Sequence, residues 1–328
     1  MLRLLAQRLV YMMITLWLVS IVTFVVIQLP PGDYAESYFT QKQQSGAVIT
    51  EEELKHFRQY LGIDRPWHEQ YLAWFSGIVL RGDFGWSFEW RRPVADVIAE
   101  RLPLTLVLAF CTLVFMYAVA LPIGIYSAVR QYSVTDHVFS LLGYIGLATP
   151  NFLLALVFMY LGQRWLGQSV GGLFSPEFED APRSWAKLAD LAAHLWIPVI
   201  VLGTAGTANL TRSMRALLLD ELGKMYVVAA RAAGLSPLRL LLKYPVRLAL
   251  NPIVSTLGWR LTFVISGAPV VGVVMALPDT GPLFLHSLLN QDMQLAGAMV
   301  FIYCALTVVG SFVSDVLLVL LDPRIKMS

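Results

Sequence analysis

Six long stretches of the chain are apolar and nearly free of charge: 9–32, 102–129, 138–163, 191–211, 248–278 and 293–321. The fourth carries only His194, the fifth only Arg260 and the sixth only Asp315. About 20 apolar residues take a helix across the hydrocarbon core of a bilayer, and each stretch reaches that length. The strict alternation that marks a membrane barrel strand is absent. The pattern therefore predicts an all-α integral membrane protein with six transmembrane helices. The first stretch is too long for a signal-peptide core, and no small-x-small site follows it. It is expected to remain as the first span, with Gln28-Leu-Pro-Pro-Gly-Asp33 as its exit.

Between the spans the pattern changes. Residues 1–32 form the first helix, 33–101 a long external segment, and 102–328 the core with helices two to six. In the external segment, Glu51–Leu61 has a helical period, with Thr50 and Glu53 spaced as a capping box and Gly62 as its stop. A second helix over 68–80 is rich in aromatic residues (Tyr71, Trp74, Phe75) and suits a membrane surface. Arg81-Gly-Asp83 reads as a tight turn. Residues 94–101 lead amphipathically into the second span. The smaller outer segments are 164–190 and 278–292, and the latter has turn residues followed by a short helix, either a re-entrant gate or a plain connector.

Composition agrees with the pattern. Hydrophobic residues are 57% of 328 and charged residues 14%, where soluble domains average about a quarter charged. Cys111 and Cys304 lie inside apolar runs and read as small buried hydrophobes. Basic residues set the orientation. Arg3 and Arg8, then Arg130, then seven basic residues between Arg212 and Arg247, then Arg324 and Lys326 all fall on one side of a six-span chain. That side is expected to be the cytoplasm, with both termini inside.

Catalytic chemistry is missing from the sequence. No G-x-x-x-x-G-K-[ST] phosphate loop occurs. His56, His68, His137, His194 and His286 are scattered, without metal-ligand spacing. Polar residues within spans are the better pointers, because each is costly in lipid. Thr204, Thr207, Asn209 and Thr211 stand beside Gly203 and Gly206 in the fourth span. They fit helix packing through small residues or the lining of a polar pathway. Arg260 and Asp315 lie at similar depths, which predicts an ion pair between the fifth and sixth spans; Arg260 snorkelling or meeting a partner subunit is the competing reading.

The loop from 212 to 250 has its own pattern. Tyr226–Ala233 favours a helix lined by alanines, Gly234 suits its C′ position, Ser236 can cap the next helix, and Pro237 fits its first turn. Arg239, Lys243 and Arg247 recur every four residues as a basic stripe, which Pro245 must kink or end. Positive-inside topology and anionic lipid account for the stripe. They do not account for the alanine helix with its glycine turn.

That segment resembles the EAA loop of ABC importer permeases, with Val228 where the motif has glutamate. Its peptide-importer branch often lacks the glutamate and reads Thr-Ala-Arg-Ala-Lys-Gly, which Ala230, Arg231, Ala232 and Gly234 match. Leu61–Pro66, Gln70–Leu72, Leu80–Gly85, Glu100–Pro103, Thr149–Phe152 and Leu321–Ile325 are similar to further signatures of the dipeptide/oligopeptide permease family, first-subunit type. The chain is identified as a member of that family.

The resemblance implies a type I importer fold in a bacterial inner membrane. It implies a second homologous permease subunit, two cytoplasmic ATPase subunits and an external solute-binding protein, with lipid as the surroundings and no nucleic acid. ATP and Mg belong to the ATPases and no cofactor to this chain. Ala229, Ala230, Arg231, Ala232, Gly234 and Ser236 are implied to dock in an ATPase groove and couple its closure to the spans. Peptides are the expected solute, with oligosaccharides, opines or nickel moved by the same machinery as alternatives. Gly272 stands where members often carry a glutamate, Arg260 where an uncharged residue is common, and Pro245 and Pro269 are unusual; these departures bear on the solute. A secondary transporter or channel predicts an internal repeat and charged relays, neither of which occurs. A membrane-bound enzyme lacks any catalytic constellation.

Overall fold

The computed structural model describes residues 2–29, 39, 42–43, 50–61, 64–87, 89–167, 171–178, 181–182 and 184–321. The exit at 30–33, the stop at Gly62 and the Asp-Pro-Arg-Ile signature after Leu321 lie outside them. Helix α1 covers Leu2–Gln28, α2 Glu51–Leu61 and α3 Trp67–Arg81. A minimal antiparallel ribbon follows, β1 (Trp86–Ser87) against β2 (Arg92–Pro93), with Trp86 opposite Pro93. The core helices are α4 (Val94–Val129), α5 (Val134–Ala148), α6 (Asn151–Leu166) and α7 (Trp185–Leu222). Then come α8 (Met225–Ala232), α9 (Pro237–Lys243), α10 (Pro245–Ser255), α11 (Leu257–Val274), α12 (Thr280–Leu289) and α13 (Met293–Leu321). The chain is a helical, multi-pass membrane protein.

Among the described residues, five helices are long and apolar enough to cross a membrane, and six spans result if α5 and α6 count as one. The predicted third span, 138–163, is not one straight helix. It breaks at Thr149-Pro150 and turns by 106°. The residue before a proline is pushed out of helical geometry, and Thr149 accordingly sits at φ −88°, ψ 124°. Its hydroxyl donates to the Ile145 carbonyl (2.8 Å), so the freed end of α5 keeps a partner. The fifth span is likewise divided, α10 ending at Ser255 and Thr256 standing between it and α11.

Two helices overrun their predicted spans. Helix α4 holds 36 residues, about 54 Å at 1.5 Å each, and absorbs the amphipathic lead-in at 94–101. Helix α7 holds 38 and carries the fourth span on to Leu222. The loop expected from 212 is therefore partly the end of a transmembrane rod.

The small-residue motif of the fourth span packs α7 on α4. A Cβ at Gly206 would lie 2.2 Å from Met116 Cε, and one at Gly203 2.8 Å from Phe115 Cδ1. Leu108, Leu202 and Val271 form the mid-depth core, and Leu210, Met214, Leu218 and Ile253 form a second core toward the basic end of the bundle. A third, at the opposite end, joins Val94 and Val97 to Leu283, Leu295 and Met299.

In the segment between the first two spans, the Thr50–Glu53 capping box forms as expected, with bonds of 3.4 and 3.1 Å. The aromatic face of α3 is spent on other helices. Tyr71 and Trp74 pack on Phe24, Tyr71 shares a hydrogen bond with Ser20 (2.8 Å), and Trp74 meets Phe301. Its other face, with Leu72, Val79 and Leu80, stays exposed. Arg81-Gly-Asp83 is a turn: Gly82 has φ +64°, and Asp83 accepts from the Gly85 N–H (2.9 Å).

Candidate functional site

The segment following α7 forms a tip at the basic end. Lys224 opens α8 in extended backbone, and the helix ends in a full Schellman turn. Gly234 takes φ +80°, its N–H bonds the Arg231 carbonyl (3.0 Å), and the Leu235 N–H bonds the Ala230 carbonyl (3.4 Å). A Cβ at Gly234 would meet nothing within 4 Å, so backbone geometry alone requires glycine there. Ser236 stands at the N-cap of α9 as expected, with its carbonyl accepting from the Leu240 N–H (2.9 Å), but its hydroxyl makes no capping bond. Pro237 fills the first turn.

The basic stripe is interrupted. Helix α9 ends at Lys243, Tyr244 kinks the chain, and Arg247 falls on α10. Proline at 245 causes this, because it cannot donate to the preceding turn.

The tip is held from behind and bare in front. Val227 and Leu240 are buried. Glu221, at the end of α7, takes the Tyr226 hydroxyl (2.6 Å) and the Lys224 ammonium (2.5 Å). Burial and the Glu221 carboxylate both push the Tyr226 phenol above its ordinary pKa. Ala229, Arg231, Ala232, Gly234 and Ser236 are exposed, and Ala230 is half-buried. Around them Met225 is 78% exposed and Leu238 67%, with Val228 and Leu242 also open. Large apolar side chains beside small ones, on a projection, make a surface suited to another protein.

The in-span polar residues are placed less uniformly. Thr204 donates to the Ile200 carbonyl (2.5 Å), and its methyl would be 2.6 Å from a Cβ at Gly146. It therefore serves the packing of α5 on α7. Asn209 accepts from Arg212 (3.2 Å). The buried Thr207 hydroxyl has no hydrogen-bond partner.

The expected Arg260–Asp315 pair does not form. Asp315 is held by Arg8 of α1 (3.0 Å), and Arg260 donates through Nε to Thr256 (3.2 Å). Gly258 faces α13 so closely that a Cβ there would lie 2.2 Å from the Gly310 carbonyl carbon, and its N–H bonds Ser314 (2.8 Å). Two residues on, Arg260 is rotated about 200° around the helix and faces away. Equal depth was legible in the sequence; rotation was not.

The opposite end holds groups the sequence did not single out. Asp279, fully buried, caps α12 by accepting from the Gly281 N–H (3.1 Å), while its Oδ2 has no partner. Burial raises its pKa to about 6, against the lowering pull of Gly281 and Arg101. A Cβ at Gly272 would lie 2.8 Å from Pro282 Cδ and 2.9 Å from Asp279 Oδ1, so glycine lets α12 pack close against α11. Thr105, Thr280 and Tyr303 form a hydrogen-bonded cluster beside it (3.0–3.1 Å). A cavity of about 1510 Å³ opens nearby, lined by Arg92, Asp96, Glu100, Phe174, Lys187 and Leu191 among others. Arg92 and Glu100 are joined by two bonds of 2.6 Å, and Lys187 lies 4.8 Å from the Phe174 ring centre. Among the described residues, no group of three His, Cys, Asp or Glu side chains is placed to hold a metal ion.

Residues 120–327 match the family described as binding-protein-dependent transport system inner membrane component, and residues 1–109 match the N-terminal component of such systems. The oligopeptide transport system permease protein AppB of Bacillus subtilis is 33% identical over 312 residues, 94% of each chain. Oligopeptide permease OppB of Mycobacterium tuberculosis is 30% identical over 99% of each chain. Dipeptide permease DppB of Escherichia coli is 28% identical over 94% of each.

Proposed function

The chain belongs to the family of binding-protein-dependent transport system inner membrane components, and we propose that it is the permease subunit through which an ATP-driven importer moves di- and oligopeptides. The peptide reading follows from the relatives, which are named for oligopeptide and dipeptide transport over nearly their whole length. The rest of the assembly is a second, homologous permease, two ATPases on the basic side and a solute-binding protein on the other. ATP and Mg bind the ATPases. The sequence supports this division of labour, because it contains no phosphate loop. The lysine and arginine asymmetry supports an inner-membrane orientation with both termini in the cytoplasm.

One observation carries the coupling assignment. The α8–Gly234–α9 tip is anchored to α7 through Glu221, yet among the described residues Met225, Val228, Ala229, Ala232 and Leu238 are left exposed. An ATPase groove closing on α8 would push directly on the end of a 38-residue transmembrane rod. Affinity purification from membranes tests the reading, since the chain should carry two ATPases and a second permease with it. Gly234→Asp should lose the ATPases while the protein stays in the membrane, because a Cβ there meets nothing within 4 Å. Retained ATPase binding and transport in that variant would remove the tip from the coupling path.

A further inference from the structure

A carboxylate outside every motif sits where three helical elements meet. Asp136, in the first turn of α5, has a side chain only 3% exposed. Arg215 of α7 grips it twice, Nε to Oδ1 at 3.1 Å and Nη2 to Oδ2 at 2.9 Å. The Tyr132 N–H donates to Oδ2 (3.0 Å). One group thus ties the turn after α4 and α7 to the start of α5. Replacing a buried ion pair with apolar side chains of equal volume is often neutral or stabilising, so net stability is a poor reason for this one. Fixed register is a better reason.

The surroundings bear this out. Gly124 of α4 is so close to α7 that a Cβ would lie 2.7 Å from Met214 Cβ, and Gly146 of α5 approaches Thr204 of α7 in the same way. Helix α5 is therefore pressed along α7 at mid-depth and pinned to it at the basic end. Beyond α5 the chain turns by 106° at Thr149-Pro150 into α6. Beyond Arg215, α7 continues for about two turns to Leu222, where Glu221 brackets the tip. Bonds thus run from the tip to α7 through Glu221, and from α7 to α5 through Arg215 and Asp136.

We propose that Asp136 and Arg215 are a positioning pair that makes the bent α5–α6 unit follow the tip through the ATP cycle. This rests on the ATPase-docking reading above. A pair acting this way keeps hydrolysis and transport in step; a pair that merely holds the fold leaves their ratio untouched.

The test uses the whole complex in proteoliposomes, with ATP and a labelled tripeptide. Asp136→Asn and Arg215→Gln should keep the ATPases bound and hydrolysis within about twofold, while tripeptide uptake per ATP falls about tenfold. Spin labels at exposed Leu141 on α5 and exposed Arg239 on α9 should report one distance in nucleotide-free and ATP-trapped wild type. In both variants that distance should differ between the two states. The Asp136→Asn/Arg215→Gln double variant should be no worse than either single change, because the pair acts as a unit. Arg215→Lys keeps the charge but not the fork and should fall between; it carries the same comparison where a neutral variant fails to reach the membrane. Unchanged uptake per ATP with an unchanged distance would overturn the proposal. So would a parallel fall of ATPase binding and uptake, which marks a purely structural role. A wild-type complex that brings down no ATPase sinks the docking reading instead.

Discussion

At the end of the bundle holding the β1–β2 ribbon, the chain answers most of its own polar groups; at the basic end it leaves apolar surface uncovered. Ser87 donates to Asp292 (2.5 Å), Trp86 N–H to Gln294 (2.8 Å), and Tyr303 to Thr280. Burial raises the Asp292 pKa, against the lowering effect of the Ser87 bond. The tip at the other end rests on Val227, Leu240 and the Glu221 bracket, and shows Met225, Val228, Leu238 and Leu242 to the surroundings. The first end ties its polar groups together within one chain, although Trp185 and Leu289 stay exposed there. The second has the form of half an interface, since a contiguous apolar projection is costly unless something covers it.

Changes at the two ends should therefore fail differently. Gly234→Asp is the largest expected effect. The fold should bear only about 1–2 kcal/mol for a side chain in left-handed backbone, while ATPase co-purification falls at least about tenfold. Next is Asp279, the exception in the closed end. Its folded pKa, about 6, lies above the ordinary 3.8, so the folded state holds the proton more tightly than the unfolded one. Its favourable contribution is fully present below about pH 4 and is lost as pH rises through about 6. Asp279→Asn keeps the cap on Gly281 and removes the titration. The melting temperature of wild type in detergent, relative to Asp279→Asn, should drop between pH 5 and pH 8, by about 1.4 kcal/mol in stability. A pH-independent gap would show that Oδ2 finds a partner.

Tyr226→Phe is a smaller change. It removes the bond to Glu221 without altering the exposed surface, and should cost about 1 kcal/mol and weaken ATPase association by roughly fivefold. A loss as large as that of Gly234→Asp would move the weight of the interface from the apolar face to the bracket. Ser236→Ala should be nearly silent. Helix N-caps are usually worth about 1 kcal/mol, but this hydroxyl makes no capping bond, so a change below about 0.5 kcal/mol is expected in thermal unfolding. A full cap penalty would mean the hydroxyl is used in the assembled complex.

The sequence by itself determined the membrane class, the positions of the apolar runs, the Thr50 capping box and the helix–Gly234–helix tip. Each depends on neighbours within a turn or two, or on the length of an apolar run, which local chemistry dictates. Pro150 breaks the run 138–163, but its unbroken apolarity masks the break because hydropathy is blind to backbone direction. Tertiary structure alone decided which charges meet. Arg260 and Asp315 share a depth, but Gly258 fixes the rotation of α11 against α13 and turns Arg260 away, leaving Asp315 to Arg8. Asp136 and Arg215 are far apart in sequence and carry no motif, and only the packing of α5 along α7 brings them within hydrogen-bond distance. The energy of a buried charge depends on every element around it, and that arrangement is a property of the fold.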